Sequence, residues 1–129
     1  MASILRVNTL TDASSGNSTA MSTINQGVAK SWTNAEQTGT NSVRDSFNGS
    51  SITDNATGDL SVTVTSAMAN VNYAHVGTAG QGATSLINIS QNFDVANPTT
   101  TVSRYQMAYV NGTLIDVASV CVALHGDLA

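Results

Sequence analysis

The chain has 129 residues, about one domain's worth, and its net charge of −4 comes from 8 acidic and 4 basic residues. Because the basic residues are scattered, the composition argues against a nucleic-acid-binding surface. No apolar run reaches the length of a membrane span, and the N-terminus lacks the pattern of an export signal.

The side chains available for a core are small. Aromatic residues make up 5% of the chain, and many of the hydrophobic residues are alanine. A single copy would therefore have a thin core, and we expect the chain to self-associate. Cys121 is the only cysteine, which excludes an internal disulfide. It lies in an apolar strand pattern, where a small buried hydrophobic residue is expected rather than a reactive thiol.

The first 30 residues are interpreted as an arm, a linker and a short helix. Residues 3–11 are prone to form a strand but have no obvious partner nearby, and residues 12–19 have the composition of a linker. Thr23 and Gln26 have the spacing of a capping box at the start of a helix. An unstructured terminus is the alternative. The candidate attachment residues in this arm are Ile4, Leu5, Val7 and Leu10.

Residues 31–129 are predicted to form an all-β domain that begins near Trp32. Leu60, Val62 and Val64 alternate with polar residues, as in a half-buried strand. The preceding residues 54–59 have turn chemistry, which predicts a β-hairpin between residues 43–53 and 60–65.

Further strands are predicted at residues 72–77, 86–89, 103–110 and 114–124. The glycines at 77, 80 and 82 are close together and predict a loop. Asn111-Gly112 is a strong turn signal and predicts that the last two strands form a second hairpin. A longer loop that reaches Asp116 is the alternative. In the final strand, Ala118, Val120, Val122 and Leu124 alternate with a second set that is small and weakly polar, at positions 119, 121, 123 and 125. We therefore expect this strand to be central and covered on both faces, with Val120 and Val122 buried. Six to eight strands indicate a compact antiparallel β-sandwich or a barrel-like knob.

The sequence has no constellation that indicates catalysis, a cofactor or a metal. His75, His125 and Cys121 lack a recognised metal-ligand spacing, and Asp54 and Asp59 are better explained by turn formation. We therefore expect a protein that is not an enzyme. Aromatic residues on polar loops could contact a sugar, although tyrosines in strands more often lie in cores or interfaces. The candidate surface-ligand residues are Tyr73, Phe93, Tyr105 and Tyr109.

Several segments resemble a module of marine bacteriophage tail-fibre and virion proteins. They are residues 44–48, 50–54, 57–59, 67–68 and 72–74, which read RDSFN, SSITD, TGD, AM and NYA. The pattern covers about thirty residues. The chain departs from it at Gly49, where such proteins usually have valine, and at Ala35, where a phenylalanine would be expected. The resemblance implies a virion structural protein that is made in the bacterial cytoplasm, forms a homotrimer and contacts other virion proteins.

Two functions follow as hypotheses from this resemblance. The first is a short tail-fibre or spike-type component, with the arm on the virion and the β-knob pointing outward, toward a host-surface polysaccharide. The second is a capsid decoration, head-fibre or cement protein without a specific ligand. The small size favours the second hypothesis, and the tail-fibre pattern favours the first.

Overall fold

The computed structural model describes residues 6–81, 86–92 and 97–129. These residues contain ten strands and one short helix. In chain order the elements are β1 (Thr9–Thr11), β2 (Ser18–Ala20), α1 (Met21–Gly27), β3 (Ser31–Glu36), β4 (Ser42–Phe47), β5 (Gly49–Ala56), β6 (Asp59–Val64), β7 (Ala74–Gly80), β8 (Ile87–Gln91), β9 (Val102–Tyr109) and β10 (Ser119–His125).

Eight of the strands form two antiparallel sheets that pack face to face. The first sheet has the order β4-β3-β10-β7 and the second has the order β5-β6-β9-β8. The predicted all-β antiparallel fold is therefore confirmed, in the form of a sandwich. The hairpin of β5 and β6 is also confirmed, but its turn is shorter than expected: Ala56 pairs with Asp59, and only Thr57 and Gly58 lie between the strands.

The core lies between the two sheets, where the inward side chains of β6 and β9 meet those of β10. The alternation predicted for Leu60, Val62 and Val64 is confirmed, as is the alternation of Val120 and Val122. The buried apolar side chains are Ala35, Leu60, Val62, Val64, Met68, Tyr73, Tyr105, Met107, Val117, Val120, Val122 and Leu124.

The predicted strand at residues 43–53 is broken at Asn48, where the chain passes from the first sheet to the second. Asn48 has φ 55°, a left-handed conformation that asparagine tolerates better than most residues. Gly49 follows, and a Cβ at this position would lie 2.6 Å from Thr33 Oγ1 and 2.9 Å from Ser46 Cβ. The glycine that departs from the phage pattern thus allows the two strands to meet closely at this corner.

The predicted hairpin between the last two strands is wrong. The Asn111-Gly112 turn does form, with Gly112 at φ 85° and its N–H donating to the Tyr109 carbonyl. The chain pairs with β9 only as far as Ile115, whose N–H donates to the Met107 carbonyl. It then crosses to the first sheet, where β10 lies between β3 and β7. The expected central position of the last strand is confirmed.

The loop predicted from the glycine cluster is also wrong for the residues that the structure describes; Gly82, the third glycine of the cluster, lies outside them. Gly77 and Gly80 lie inside β7 and pair with Val122 and Ser119 of β10. Gly77 faces inward, close to the Ile89 side chain. These glycines therefore belong to a regular strand, at a position where Gly77 has little space for a side chain.

The N-terminal residues form a small unit of their own. Contrary to the expectation that this strand lacks a local partner, β1 pairs with β2, and Leu10 lies opposite Thr19. The predicted linker is the loop of this hairpin, organised by the Asp12 carboxylate. That carboxylate accepts hydrogen bonds from Asn17 Nδ2, Ser14 Oγ and Gly16 N, which hold the pKa of Asp12 below its ordinary value.

The predicted short helix is present as α1, but the capping box is wrong. The N-cap position is Ala20, which makes no side-chain cap, and Thr23 lies inside the helix. No residue from 6 to 28 is buried. Ile4 and Leu5, two of the candidate attachment residues, lie outside the described residues, whereas Val7 and Leu10 are exposed.

Candidate functional site

Large apolar side chains line up on the outward face of the first sheet. The strand pairing sets Phe47, Trp32, Ala123 and Val76 side by side across four strands. Phe47 is 54% exposed, Trp32 38% and Val76 58%. We call this surface the Trp32 face. A contiguous row of exposed apolar side chains on a soluble domain indicates an interaction site.

The Trp32 face is grooved, because its central strand carries small side chains. Ala123 and Cys121 of β10 form the floor, and Trp32 and Val76 rise on either side. The groove has a volume of about 360 Å³. Its polar lining comes from the next row of the sheet, where Asn34, Cys121 and Thr78 are paired.

Asn34 has a polar atom that is not satisfied by the described part of the chain. Its Oδ1 is buried and makes no hydrogen bond there. Asp45 pairs with Asn34 and lies on the same face. At the end of this face, Arg44 Nη2 donates to Glu36 Oε2 at 2.9 Å. Hydrogen bonds from Thr38 and Arg44 lower the pKa of Glu36. The surface thus combines an apolar row with acceptors at one side.

A second concave region lies at the edge of the sandwich where β7 and β8 meet. His75 Nδ1 and the Tyr105 hydroxyl are joined by a hydrogen bond of 2.8 Å, and Gln91 Nε2 lies 3.1 Å from His75 Nε2. The Tyr73 and His75 rings are 4.7 Å apart between centroids. Burial lowers the pKa of His75 and raises the pKa of Tyr105 to about 12, so both groups are neutral near pH 7.

His75 and Gln91 separate two cavities at this edge. One has a volume of about 230 Å³ and is bounded also by Ser90 and Tyr105. The other, of about 360 Å³, reaches Asn72 and Pro98. We call this region the His75 cleft. Its amides, imidazole and hydroxyls can exchange hydrogen bonds with a polar ligand.

The candidate surface-ligand residues do not form one site. Tyr73 and Tyr105 are buried, at 7% and 3% exposure, and line the His75 cleft from inside the core. Tyr109 is half-buried at the end of β9. Phe93 lies outside the described residues. The alternative interpretation, that strand tyrosines belong to the core, is therefore the correct one for Tyr73 and Tyr105.

Sequence reasoning missed the aromatic pair that is exposed. Trp32 and Phe47 lie opposite each other on β3 and β4. The signal was the alternation of β3, in which Ser31, Thr33 and Ala35 are buried and Trp32 is not. The alternation identifies the exposed pair only if the small residues of β3 are assigned to the core side and Trp32 to the outer side.

His75, His125 and Cys121, which lack a metal-ligand spacing in the sequence, do not form one cluster in the structure either. Cys121 and His125 share the outward face of β10, whereas His75 faces inward. Among the described residues there is no group of three or more His, Cys, Asp or Glu side chains that could hold a metal ion. In the same residues no helix is long and apolar enough to cross a membrane.

Comparison of the chain with protein-family models, with curated proteins and with solved structures found no significant match in any of the three.

Proposed function

We propose that this chain is a bacteriophage virion structural protein, a short tail-fibre or spike-type component that works as a homo-oligomer. The observation that carries the proposal is the Trp32 face, a row of large apolar side chains that an isolated copy leaves in water. Such a surface is typical of a subunit that is completed by assembly. The resemblance of residues 44–59 to phage tail-fibre modules supports the virion as the place of that assembly.

The N-terminal unit suits a role in attachment. Its residues from 6 to 28 are unburied and include the exposed apolar side chains of Val7, Leu10 and Val28. Apolar groups that contribute nothing to the chain's own core are available for a partner, which includes a neighbouring copy of the chain as well as another virion protein. Deleting residues 1–30 is expected to leave a folded β-domain that no longer joins virions, as measured by immunoblotting of purified particles.

The adhesive part of the proposal is assigned to the His75 cleft rather than to exposed tyrosines. Gln91, Ser90 and Asn72 present amide and hydroxyl groups at its surface, which suits the hydroxyl groups of a host-surface polysaccharide. A Gln91→Leu variant is expected to bind host-envelope polysaccharide more weakly than the parent protein. An Asn111→Leu variant, on an exposed turn away from the cleft, is the control.

Immunogold labelling of intact virions tests the location. Gold at the tail tip or on fibres is the expected result. Gold spread over the capsid would replace the proposal with the alternative of a decoration protein, and particles without the protein would contradict both.

A further inference from the structure

Two apolar surfaces of this chain are uncovered, and they differ in shape. The Trp32 face is a grooved sheet with Trp32 and Val76 on either side of the small residues Cys121 and Ala123. The second surface belongs to the N-terminal unit of β1, β2 and α1, where Val7, Leu10 and Val28 are exposed. The Trp32 face is a concave surface on a four-stranded sheet, and the N-terminal unit is a two-stranded hairpin followed by a short helix.

The N-terminal unit is held together by its own hydrogen bonds. Met21 N donates to the Asn8 carbonyl at 2.9 Å, and Asp12 N donates to the Asn17 carbonyl at 3.0 Å. The helix buries no side chain. The connection to the domain is at Lys30, whose N–H donates to the Leu124 carbonyl. The unit therefore has local structure but leaves the Trp32 face of its own chain open.

We propose that the N-terminal unit of one copy packs into the groove of the Trp32 face of a second copy. The groove of about 360 Å³ has room for exposed side chains of the unit, such as Leu10 and Val28, to enter between Trp32 and Val76. The contact would cover both sets of exposed apolar side chains at once, which neither surface achieves within a single chain. It deepens the self-association in the proposed function and does not depend on the virion location.

Polar groups at the edge of the groove support the same partner. Asp45 lies beside Asn34, and Arg6 stands at the start of the N-terminal unit. A cation at the beginning of the unit and a carboxylate beside the groove have complementary charge. The contact joins two different surfaces of the chain, so its repetition gives a closed ring if the rotation between neighbouring copies divides a full turn, and an open filament if it does not.

The chain carries two natural reporters of this contact. Trp32 is its only tryptophan and Cys121 is its only cysteine. Both lie on the Trp32 face. Quenching of tryptophan fluorescence by acrylamide and the rate of reaction of the thiol with Ellman's reagent therefore measure the exposure of the groove, without any label elsewhere.

The test compares the full-length protein with a Leu10→Ser/Val28→Ser variant and with a Val110→Ser control. Val110 is also an exposed apolar residue but follows β9, in a loop away from both surfaces. Light scattering gives the mass, and acrylamide quenching and thiol reaction give the exposure of the groove. Both are measured over a dilution series, and circular dichroism checks that the variants are folded.

The parent protein and the Val110→Ser control are expected to form oligomers with shielded Trp32 and slowly reacting Cys121, and dilution exposes both together. The double variant should dissociate at a concentration about tenfold higher or more, since it loses two apolar contacts per interface. A monomeric parent would overturn the proposal. So would a double variant whose mass and groove exposure match the parent, because another surface would then cover the groove. An oligomer in which Trp32 stays fully quenchable would overturn it as well.

Suppose that the double variant loses its oligomers and that the parent protein is not found on virions. This result would leave the inference standing and refute only the virion assignment. The reverse pattern, labelled virions with a monomeric parent protein, would refute this inference and the self-association on which it rests, and would leave the virion assignment standing.

Discussion

Arg104 donates two hydrogen bonds of 2.7 Å to the carboxylate of Asp59, from Nε to Oδ1 and from Nη2 to Oδ2. The two residues lie on neighbouring strands, β6 and β9, on the outward face of the second sheet. Asn55 and Asn92 donate further hydrogen bonds to the same carboxylate. A two-point pair of this kind is stronger than an ordinary hydrogen bond and fixes the orientation of both side chains.

Replacing Asp59 with Asn is expected to destabilise the domain by more than the loss of an exposed ion pair does, because Arg104 would lose its charged partner at a position where the Asp59 side chain is 8% and the Arg104 side chain 20% exposed. The free energy of unfolding, measured in urea, checks this. Glu36→Gln is the matched control, since it breaks the Arg44 pair in which both side chains are about a third or more exposed. Water screens that pair, so its loss should be clearly smaller. Equal losses of unfolding free energy in the two variants would contradict the prediction that the less exposed pair contributes more to stability.

The same pair predicts a response to acid. Hydrogen bonds from Arg104 hold the pKa of Asp59 below its ordinary value of 3.8. A depressed pKa in the folded state contributes stability that is present above the ordinary value and is lost as the pH falls through the folded value. The parent protein should therefore lose stability as the pH falls below 3.8, and the Asp59→Asn variant should lose less over the same range. Parallel pH profiles for the variant and the parent would contradict this.

Gly58 is expected to be much less replaceable than other glycines with positive φ. Its φ is 66°, and a Cβ there would lie 2.5 Å from the Met107 carbonyl oxygen and 2.7 Å from Ile115 N. Gly39 has a similar φ of 73° but open space around it. Gly39→Ala should cost about 1–2 kcal/mol, the price of the left-handed conformation. Gly58→Ala would also bring the new Cβ into collision with backbone atoms. The free energy of unfolding in urea should therefore fall at least twice as much as in Gly39→Ala.

Val62 is 2% exposed, so Val62→Asp places an unpaired charge inside the core. We expect this variant to form no soluble, native assembly, as judged by size-exclusion chromatography. Thr65→Asp introduces the same side chain at an exposed position just after β6 and should behave like the parent protein. A soluble Val62→Asp protein of native size would show that the inward face of β6 has been misassigned.

His75 should make stability depend on pH near neutrality. Burial lowers its pKa below the ordinary value of 6.5, so the unfolded chain binds a proton more readily than the folded one. Stability is then complete above pH 6.5 and falls as the pH is lowered below it. His75→Gln is expected to flatten urea-midpoint profiles between about pH 8 and pH 5, and His125→Gln at the end of β10 is the comparison. An unchanged slope in His75→Gln would contradict the prediction.

The parts of the fold that were predicted from the sequence are those fixed by local patterns. The alternation in residues 60–64 and 120–124 identified strands and their inward faces, because one face of each is apolar. Turn chemistry found Gly58 and Gly112, which both have positive φ. These signals act over a few residues and do not depend on the rest of the chain.

The path of the chain after the Gly112 turn depends on contacts between distant residues, and the sequence does not display them. Asp116 accepts a hydrogen bond of 2.7 Å from Gly58 N, and the Val117 carbonyl accepts one from Gln37 N. Val117 is fully buried. These contacts draw the chain away from β9 and start its crossing to the first sheet, although the local turn signal favours a simple hairpin.

The candidate site was hidden for a related reason. Whether Trp32 faces the core depends on what the other side of β3 packs against, and small residues such as Ser31 and Ala35 fill that space. The exposed aromatic pair follows from the fit between two sheets, which no single strand encodes.

Polar side chains tie the two sheets together at both edges of the sandwich. At the edge where β4 passes into β5, Asn48 joins three segments: its Nδ2 donates to the Lys30 and Ser66 carbonyls, and its Oδ1 accepts from Ser66 N. At the opposite edge, His75 of the first sheet is hydrogen-bonded to Tyr105 and lies 3.1 Å from the Gln91 amide of the second sheet. The apolar core thus lies between two polar seams, and each seam is centred on one side chain that contacts both sheets.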